Sequence, residues 1–466
     1  MRGARERTVV ALACLGLVVA GCARSGPPEP TPWAHRPVVD LHFDVAKNLQ
    51  SATGHERVVF TPDLRTCDLV FRLWPNKPAT ASAGSSLTVS SVRVDGETAR
   101  SEDVAAGAPD SAPAGTLLEI PLASCADAGQ KLTVDLDFAL RLGPDVDERV
   151  GMSADGEVAW FGTGFPLLAW ERGLGWARDP AVPVAGEMAV SEDFRLNSLE
   201  VVAPTDYEVL GTGTAAGTAD GPDAGTTVHR FTAPAVRDVA VSVGAFDVQE
   251  RTIDGIRVHV GVDAAATDSD PAAYLDRIAT SIRDLEKLLG SFPYPDLWVS
   301  VLSSESSGIE FPGAIQVGDV DPDRRRALMT HELAHQWFYG LVGNDQAEHP
   351  WLDESFATFA QMVADGEERT STGDIPRAYR KRVGEPISYW TQDGQPSDAY
   401  YDAVYIVGGA ALVTARDRAG HEAFDKDLQD YLRANAFTIA TPDDVRAAFA
   451  DLPEVLTVLR GVGALR

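Results

Sequence analysis

At 466 residues, 44% apolar and 23% charged, the chain is long enough for two or three domains, each able to bury a core. Its 69 acidic residues against 40 basic ones give a formal net charge of −29, a surface that repels phosphate backbones, so nucleic acid is not an expected partner. The densest basic run, Arg324 to Arg326, is short and reads as the solvated first turn of a helix.

In chain order, Arg2, Arg5 and Arg7 precede an apolar run from Val9 to Ala20, too short to span a bilayer but of signal-peptide length. The run leads into Val19-Ala20-Gly21-Cys22, which resembles a bacterial lipoprotein cleavage box, with small residues at the two positions before the cysteine. That resemblance implies a signal peptide over 1–21, lipidation of Cys22, and an exported protein held to the cell membrane on its extracytoplasmic side. The alternative is an ordinary secretory signal with an incidental cysteine. No later stretch is long enough to cross a bilayer, so the body is expected to be anchored rather than embedded. Residues 22–37, rich in Pro, read as a tether. With Cys14 removed and Cys22 lipidated, Cys67 and Cys125 remain, and in an exported chain they suggest one disulfide.

From Val38 to Val248 the pattern is strand-like, with alternation or β-branched residues in segments such as VVDLHFDV, KLTVDLDFAL and DVAVSVGAF. This predicts an N-terminal all-β domain over 38–248. Residues 101–115 and 212–227 are rich in Ala, Gly, Asp and Thr and are expected to be long exposed loops. Gly211 to Gly217 has the wrong spacing for a nucleotide-binding loop and reads as hairpin glycines. Over 249–466 a strand leads to a helix with Leu275, Ile278, Ile282, Leu285 and Leu289 on one face, then to another strand. Beyond Asp323 the chain is mostly helical.

The chemistry concentrates in HELAHQWFYG, residues 331–340. Asp321 is positioned to cap its helix, and Pro322 suits the first turn. His331 and His335, four residues apart, project on nearly the same side and can chelate zinc, while Glu332 can reach a water without being a ligand. An accidental His-Glu-x-x-His is expected in roughly one chain in a hundred of this size and histidine content, so the pair needs a partner. Glu354, nineteen residues on (354 − 335), lies in the first turn of an amphipathic helix with Leu352, Phe356, Phe359, Ala360 and Val363 suited to packing. Packed beside the histidine helix, it would supply the third ligand that a catalytic zinc wants.

HELAHQWFYG followed by WLDESFATF resembles the M1 (gluzincin) metallopeptidases, which have His-Glu-x-x-His, eighteen residues, then Glu. The resemblance implies a multidomain fold: an N-terminal all-β domain built on a saddle-like antiparallel sheet, then a thermolysin-like α/β and helical catalytic domain. It further implies one zinc per chain, held by His331, His335 and Glu354, with Glu332 as the catalytic acid and base. Family members commonly read HQWFG and WLNEGFA here, whereas this chain has Tyr339 before Gly340, Asp353 for Asn and Ser355 for Gly. Asp353 and Thr358 are candidates to orient the ligands. Upstream, Gly308, Ile309 and Glu310 match the family's Gly-x-Met-Glu-Asn segment, with Ile309 for Met and Phe311 for Asn. There the glutamate binds the substrate's α-amino group. Tyr405 matches the tyrosine that donates to the oxyanion, although Val407 stands where Lys is usual, and Tyr400 and Tyr401 compete for the role. His349 and His421 match no family position and read as surface or capping residues. The chain ends 112 residues after Glu354 (466 − 354), so the large helical roof of longer members is expected to be missing.

The expected activity is that of a zinc-dependent aminopeptidase acting on peptides outside the cytoplasm. One alternative is an endopeptidase or other hydrolase on the same zinc scaffold, motivated by Phe311. Another is a lipoprotein that binds peptides or a partner protein without turning them over.

Overall fold

A computed structural model of the protein describes residues 30–106, 115–184, 190–266, 269–392, 395–396 and 398–466. The signal peptide, Cys22 and the first half of the tether lie outside the described residues. Of the tether's last residues, Arg36 is bonded to the body: its guanidinium donates to the Pro234 carbonyl at 2.7 and 3.1 Å. Among the described residues no helix is long and apolar enough to cross a membrane.

Alternating burial along Val38–Val45 and Leu132–Arg141 lets each strand cover a core with one face. These strands belong to an eight-stranded sheet that runs from Thr214–Asp220 through Val38–Val45 to Glu97–Thr98. Its pairs are antiparallel except one: Val38–Val45 lies parallel to Phe194–Pro204, so the sheet is mixed rather than purely antiparallel. The stretch 212–227 is not a long loop. Residues Thr214–Asp220 form the outermost strand of that sheet, almost entirely exposed, which is why their composition reads as loop. Two four-stranded sheets and a two-stranded ribbon, Trp170–Glu171 with Gly175–Trp176, complete the described part of the β domain. Cys67 and Cys125, on the paired strands Thr66–Arg72 and Leu117–Ala126, are joined by a disulfide.

Phe246–Ile253 pairs with Ile256–Asp263 and so belongs to the next unit, and a boundary drawn at residue 248 would cut this strand. The second unit is a five-stranded sheet ordered Phe246–Ile253, Ile256–Asp263, Asp296–Leu302, Ala314–Gly318, Gly308–Phe311. Asp270 caps the helix Pro271–Leu289 by accepting from the Ala272 amide at 3.0 Å. The five apolar residues expected on one face of that helix are all buried. The first unit's core does not stop at the boundary: Trp298, Leu302, Ile309, Phe311 and Ala314 pack in the same apolar cluster as Trp160 and Phe161. Arg237 crosses the same border, donating to the carbonyls of Gly340 (3.3 Å) and Thr438 (3.2 Å).

Candidate active site

The helix carrying the first histidine spans Arg326–Ala334. Asp321 caps the turn that leads into it, accepting from the amides of Asp323 (2.9 Å) and Arg324 (3.2 Å), rather than the helix itself. The helix ends at Ala334 and His335 sits at its C-cap, still in helical conformation. Beyond it the chain widens: the amides of Gly340, Leu341 and Val342 donate five residues back, to His335, Gln336 and Trp337. Tyr339, the residue extra to the family pattern, takes φ +82°, so the insertion is absorbed by this wide turn without displacing the histidines. The second helix, Trp351–Ala364, is buried from Trp351 to Met362, so it is a core helix rather than the amphipathic one expected. The two helices pack together and bring Glu354 to the histidines.

Three donor atoms then face one another. His331 Nε2 lies 3.2 Å from Glu354 Oε2, His335 Nε2 lies 3.4 Å from the same oxygen, and the two Nε2 atoms are 3.1 Å apart. The His335 Nδ1 is 3.3 Å from the Phe338 carbonyl, and donation to it leaves the Nε2 lone pair turned to the centre. With a lone pair turned inward on each, three such atoms repel unless a cation lies between them. Tetrahedral zinc with bonds of about 2.0–2.1 Å places its ligands roughly 3.3–3.4 Å apart, so this donor set fits that ion in chemistry and in spacing.

Glu332, buried and without a partner on Oε2, shares the cleft with these atoms. Its carboxylate oxygen, one of Glu310 and a ring nitrogen of His335 all lie within 4.8 Å of one another. Burial, then Glu310 and Glu354, push its carboxyl well above the usual range, while His335 opposes them. Gly308 makes its approach possible, since a Cβ there would lie 2.5 Å from the Glu332 side chain. Glu310 stands on Gly308–Phe311, the edge strand of the five-stranded sheet, whose outer side is available to pair with an extended peptide.

Tyr405 lies in a wide turn of π-helical bonding, Asp402–Val407, and stacks on His331 with centroids 5.7 Å apart. Tyr400 and Tyr401 also line the cleft, but the described aromatic contacts place neither against a histidine. Ser355 explains one departure from the family pattern. Its hydroxyl donates to the Val404 carbonyl at 2.7 Å, tying the Glu354 helix to this turn, and Gly408 leaves it room. Asp353 is fully buried, accepting from the Glu354 amide (2.8 Å) and Gln346 (3.1 Å). Burial and Glu354 push its carboxyl up to about 7. Thr358 lines the cleft without bonding a ligand residue. His421 is exposed and pairs with Asp417, whereas His349 is half-buried with an enclosed Nδ1.

The cleft that collects these groups has a volume of about 960 Å³. Three residues that sequence reasoning passed over support it. Gln336 donates to the Phe311 carbonyl (3.1 Å) and accepts from the Gly313 amide (2.8 Å), fastening the edge strand to the histidine segment. Gln346 and Arg149 both reach Glu310. Only the position of Gln336, directly after the second histidine, offered a sequence signal for any of them.

Residues 319–460 match the peptidase family M1 domain. Aminopeptidase M1 of Arabidopsis thaliana is 26% identical over 238 residues, covering 45% of this chain and 27% of that protein. Aminopeptidase N of Lactobacillus helveticus is 28% identical over 221 residues, 42% of this chain and 26% of that protein. The matched region thus spans about a quarter of these relatives. Among solved structures, the M1 zinc metallopeptidase from Deinococcus radiodurans superposes with a TM-score of 0.65 at 17% identity, covering 94% of this chain and 95% of that one. A point mutant of that enzyme bound to a Tyr-Ser-Ala substrate gives the same TM-score, covering 95% and 96%. At this identity these structures speak for the fold.

Proposed function

Because this chain belongs to peptidase family M1, we propose that it is a zinc-dependent aminopeptidase removing N-terminal residues from peptides. The observation that carries this reading is the triangle formed by His331 Nε2, His335 Nε2 and Glu354 Oε2, with Glu332 and Glu310 beside it. His331, His335 and Glu354 would hold a zinc ion, which would supply Lewis-acid polarisation of the scissile carbonyl and acidify the attacking water. Glu332 takes a proton from that water as the new C–O bond forms, and delivers it to the amide nitrogen as the C–N bond breaks. The Tyr405 hydroxyl donates to the carbonyl oxygen as negative charge builds on it. Glu310 pairs with the substrate's ammonium, and the edge strand Gly308–Phe311 holds the peptide extended, so cleavage falls one residue from its end.

The test uses matched peptides with free and acetylated N-termini. Wild type should carry one zinc per chain and cleave the free peptide far faster. Glu332→Gln should abolish turnover with zinc retained, and Glu310→Ala should lose the preference for a free amine. A protein without zinc, or a fully active Glu332→Gln, refutes the assignment.

One observation favours the endopeptidase reading: Phe311 stands in the Asn position. Equal cleavage of blocked and free peptides would establish it.

The site of action is proposed to be outside the cytoplasm, at a membrane held by a lipid on Cys22, on the strength of Val19-Ala20-Gly21-Cys22. Cys22→Ala should move the protein from the membrane fraction to the soluble one. An unchanged distribution overturns the anchor.

A further inference from the structure

Arg149 belongs to the β domain, just ahead of the strand Val150–Met152, and its side chain is 0% exposed. Its guanidinium is held between two rings, 5.2 Å from the Trp74 centroid and 5.1 Å from that of Phe311. One terminal nitrogen lies 3.6 Å from Asp238 Oδ2, the other 3.5 Å from Glu310 Oε1. Asp238 is itself fixed, accepting from the hydroxyls of Thr163 (2.6 Å) and Tyr339 (3.0 Å) and from the Val239 amide (2.7 Å).

Two consequences follow from this geometry. Gln346 also approaches Glu310 at Oε1, 3.5 Å away, so these two polar neighbours meet the same oxygen. And one guanidinium lies between two carboxylates, Asp238 and Glu310, so a cation arriving at Glu310 adds a second positive partner to this buried group.

We propose that Arg149 is the positioning residue of the ammonium anchor: it holds Glu310 by Oε1 so that Oε2 meets the substrate's free N-terminus. This rests on the aminopeptidase reading. It also gives a reason for two departures from the family pattern, since Phe311 forms a wall of the arginine's slot and Tyr339 secures its counter-ion. Gly162 completes the fit, because a Cβ there would lie 2.0 Å from the Phe311 ring.

The experiment compares wild type, Arg149→Met, Arg149→Lys and Tyr339→Phe as full chains, measuring kcat and KM on a free-amine tripeptide and turnover of its acetylated form. Zinc content and melting temperature are followed in parallel. Loss of a charge-assisted contact should raise the KM of Arg149→Met for the free peptide about ten-fold or more, with kcat reduced less and zinc retained. Arg149→Lys should recover part of the loss, because it returns the charge without the fork. Tyr339→Phe, which leaves the arginine in place but loosens Asp238, should raise the same KM about three-fold. An unchanged KM in zinc-loaded Arg149→Met overturns the proposal. If that variant does not fold, an unchanged KM in Tyr339→Phe does the same. Failure of the underlying reading looks different: wild type itself would then cleave acetylated and free peptides alike.

Discussion

Adding one methyl group at Gly308 should disarm the proposed catalytic Glu332 without unfolding the protein. The new Cβ would lie 2.5 Å from Cγ and Cδ of Glu332 and 2.6 Å from its Oε1. Ordinary contact begins at 3.4 Å, so the Glu332 side chain must retreat by 0.9 Å (3.4 − 2.5). The atoms in the way belong to a flexible side chain, so the carboxylate swings aside and the strand keeps its place. A displacement of about 1 Å in a reacting group costs on the order of a hundred-fold in rate, or roughly 2.7 kcal/mol in the barrier. No zinc ligand is touched. Gly308→Ala should therefore lose about a hundred-fold in kcat on a free-amine peptide, while zinc stoichiometry and melting temperature stay close to wild type. Combined with Glu332→Gln it should add almost nothing, since both act on one group. A kcat within about three-fold of wild type, or an additive double variant, would refute the reasoning that Glu332 moves the proton from its present position.

Dialysis against a strong chelator should abolish turnover and lower the melting temperature, and added zinc should restore both. A metal-free protein as active and as stable as before would show that the donor triangle holds nothing. The disulfide spans 58 residues, and a loop of that length corresponds to about 4 kcal/mol of chain entropy. Cys67→Ser in urea unfolding should lose up to that amount, and an unchanged midpoint would contradict it. Glu171 gives a pH dependence. Burial, then Asp345, Asp179, Glu192 and Glu348, push its carboxyl from 4.5 up to about 8, and Asp345 is pushed up to about 7. Between about 4.5 and 8 the folded state holds a proton that the unfolded chain has released, so stability falls as pH rises through that window and levels off above it. The melting temperature should drop from pH 5 to pH 8 and Glu171→Gln should flatten the drop, whereas a wild-type curve that is already flat would rule this out.

What was legible beforehand followed local periodicity. A four-residue spacing puts His331 and His335 on one face whether or not the helix continues, so the helix end at Ala334 did no harm to the reading. The one-faced pattern from Leu275 to Leu289 works the same way, because a helix against a sheet needs only one apolar face. Thr214–Asp220 was misread because an edge strand exposed on both sides carries no alternation. The full burial of Trp351–Met362 was likewise hidden, since Asp353, Glu354 and Ser355 look like a solvent face until their partners are known. Arg149 lay beyond reach for another reason. Its neighbours Trp74, Asp238 and Phe311 come from three distant segments, and nothing in the residues around position 149 marks it as a buried cation.

The apolar cluster that runs from Trp160 and Phe161 into Ile309 and Phe311 bears on how such a chain can change over generations. The strand proposed to grip the substrate turns Gly308 and Glu310 to the cleft and buries Ile309 and Phe311 in its neighbour's interior. A duplication or recombination that exchanged the catalytic half alone would leave Phe311 without its packing and Arg237 without the carbonyls it holds. A substitution in the outer domain that reshapes this cluster would therefore be felt at the cleft.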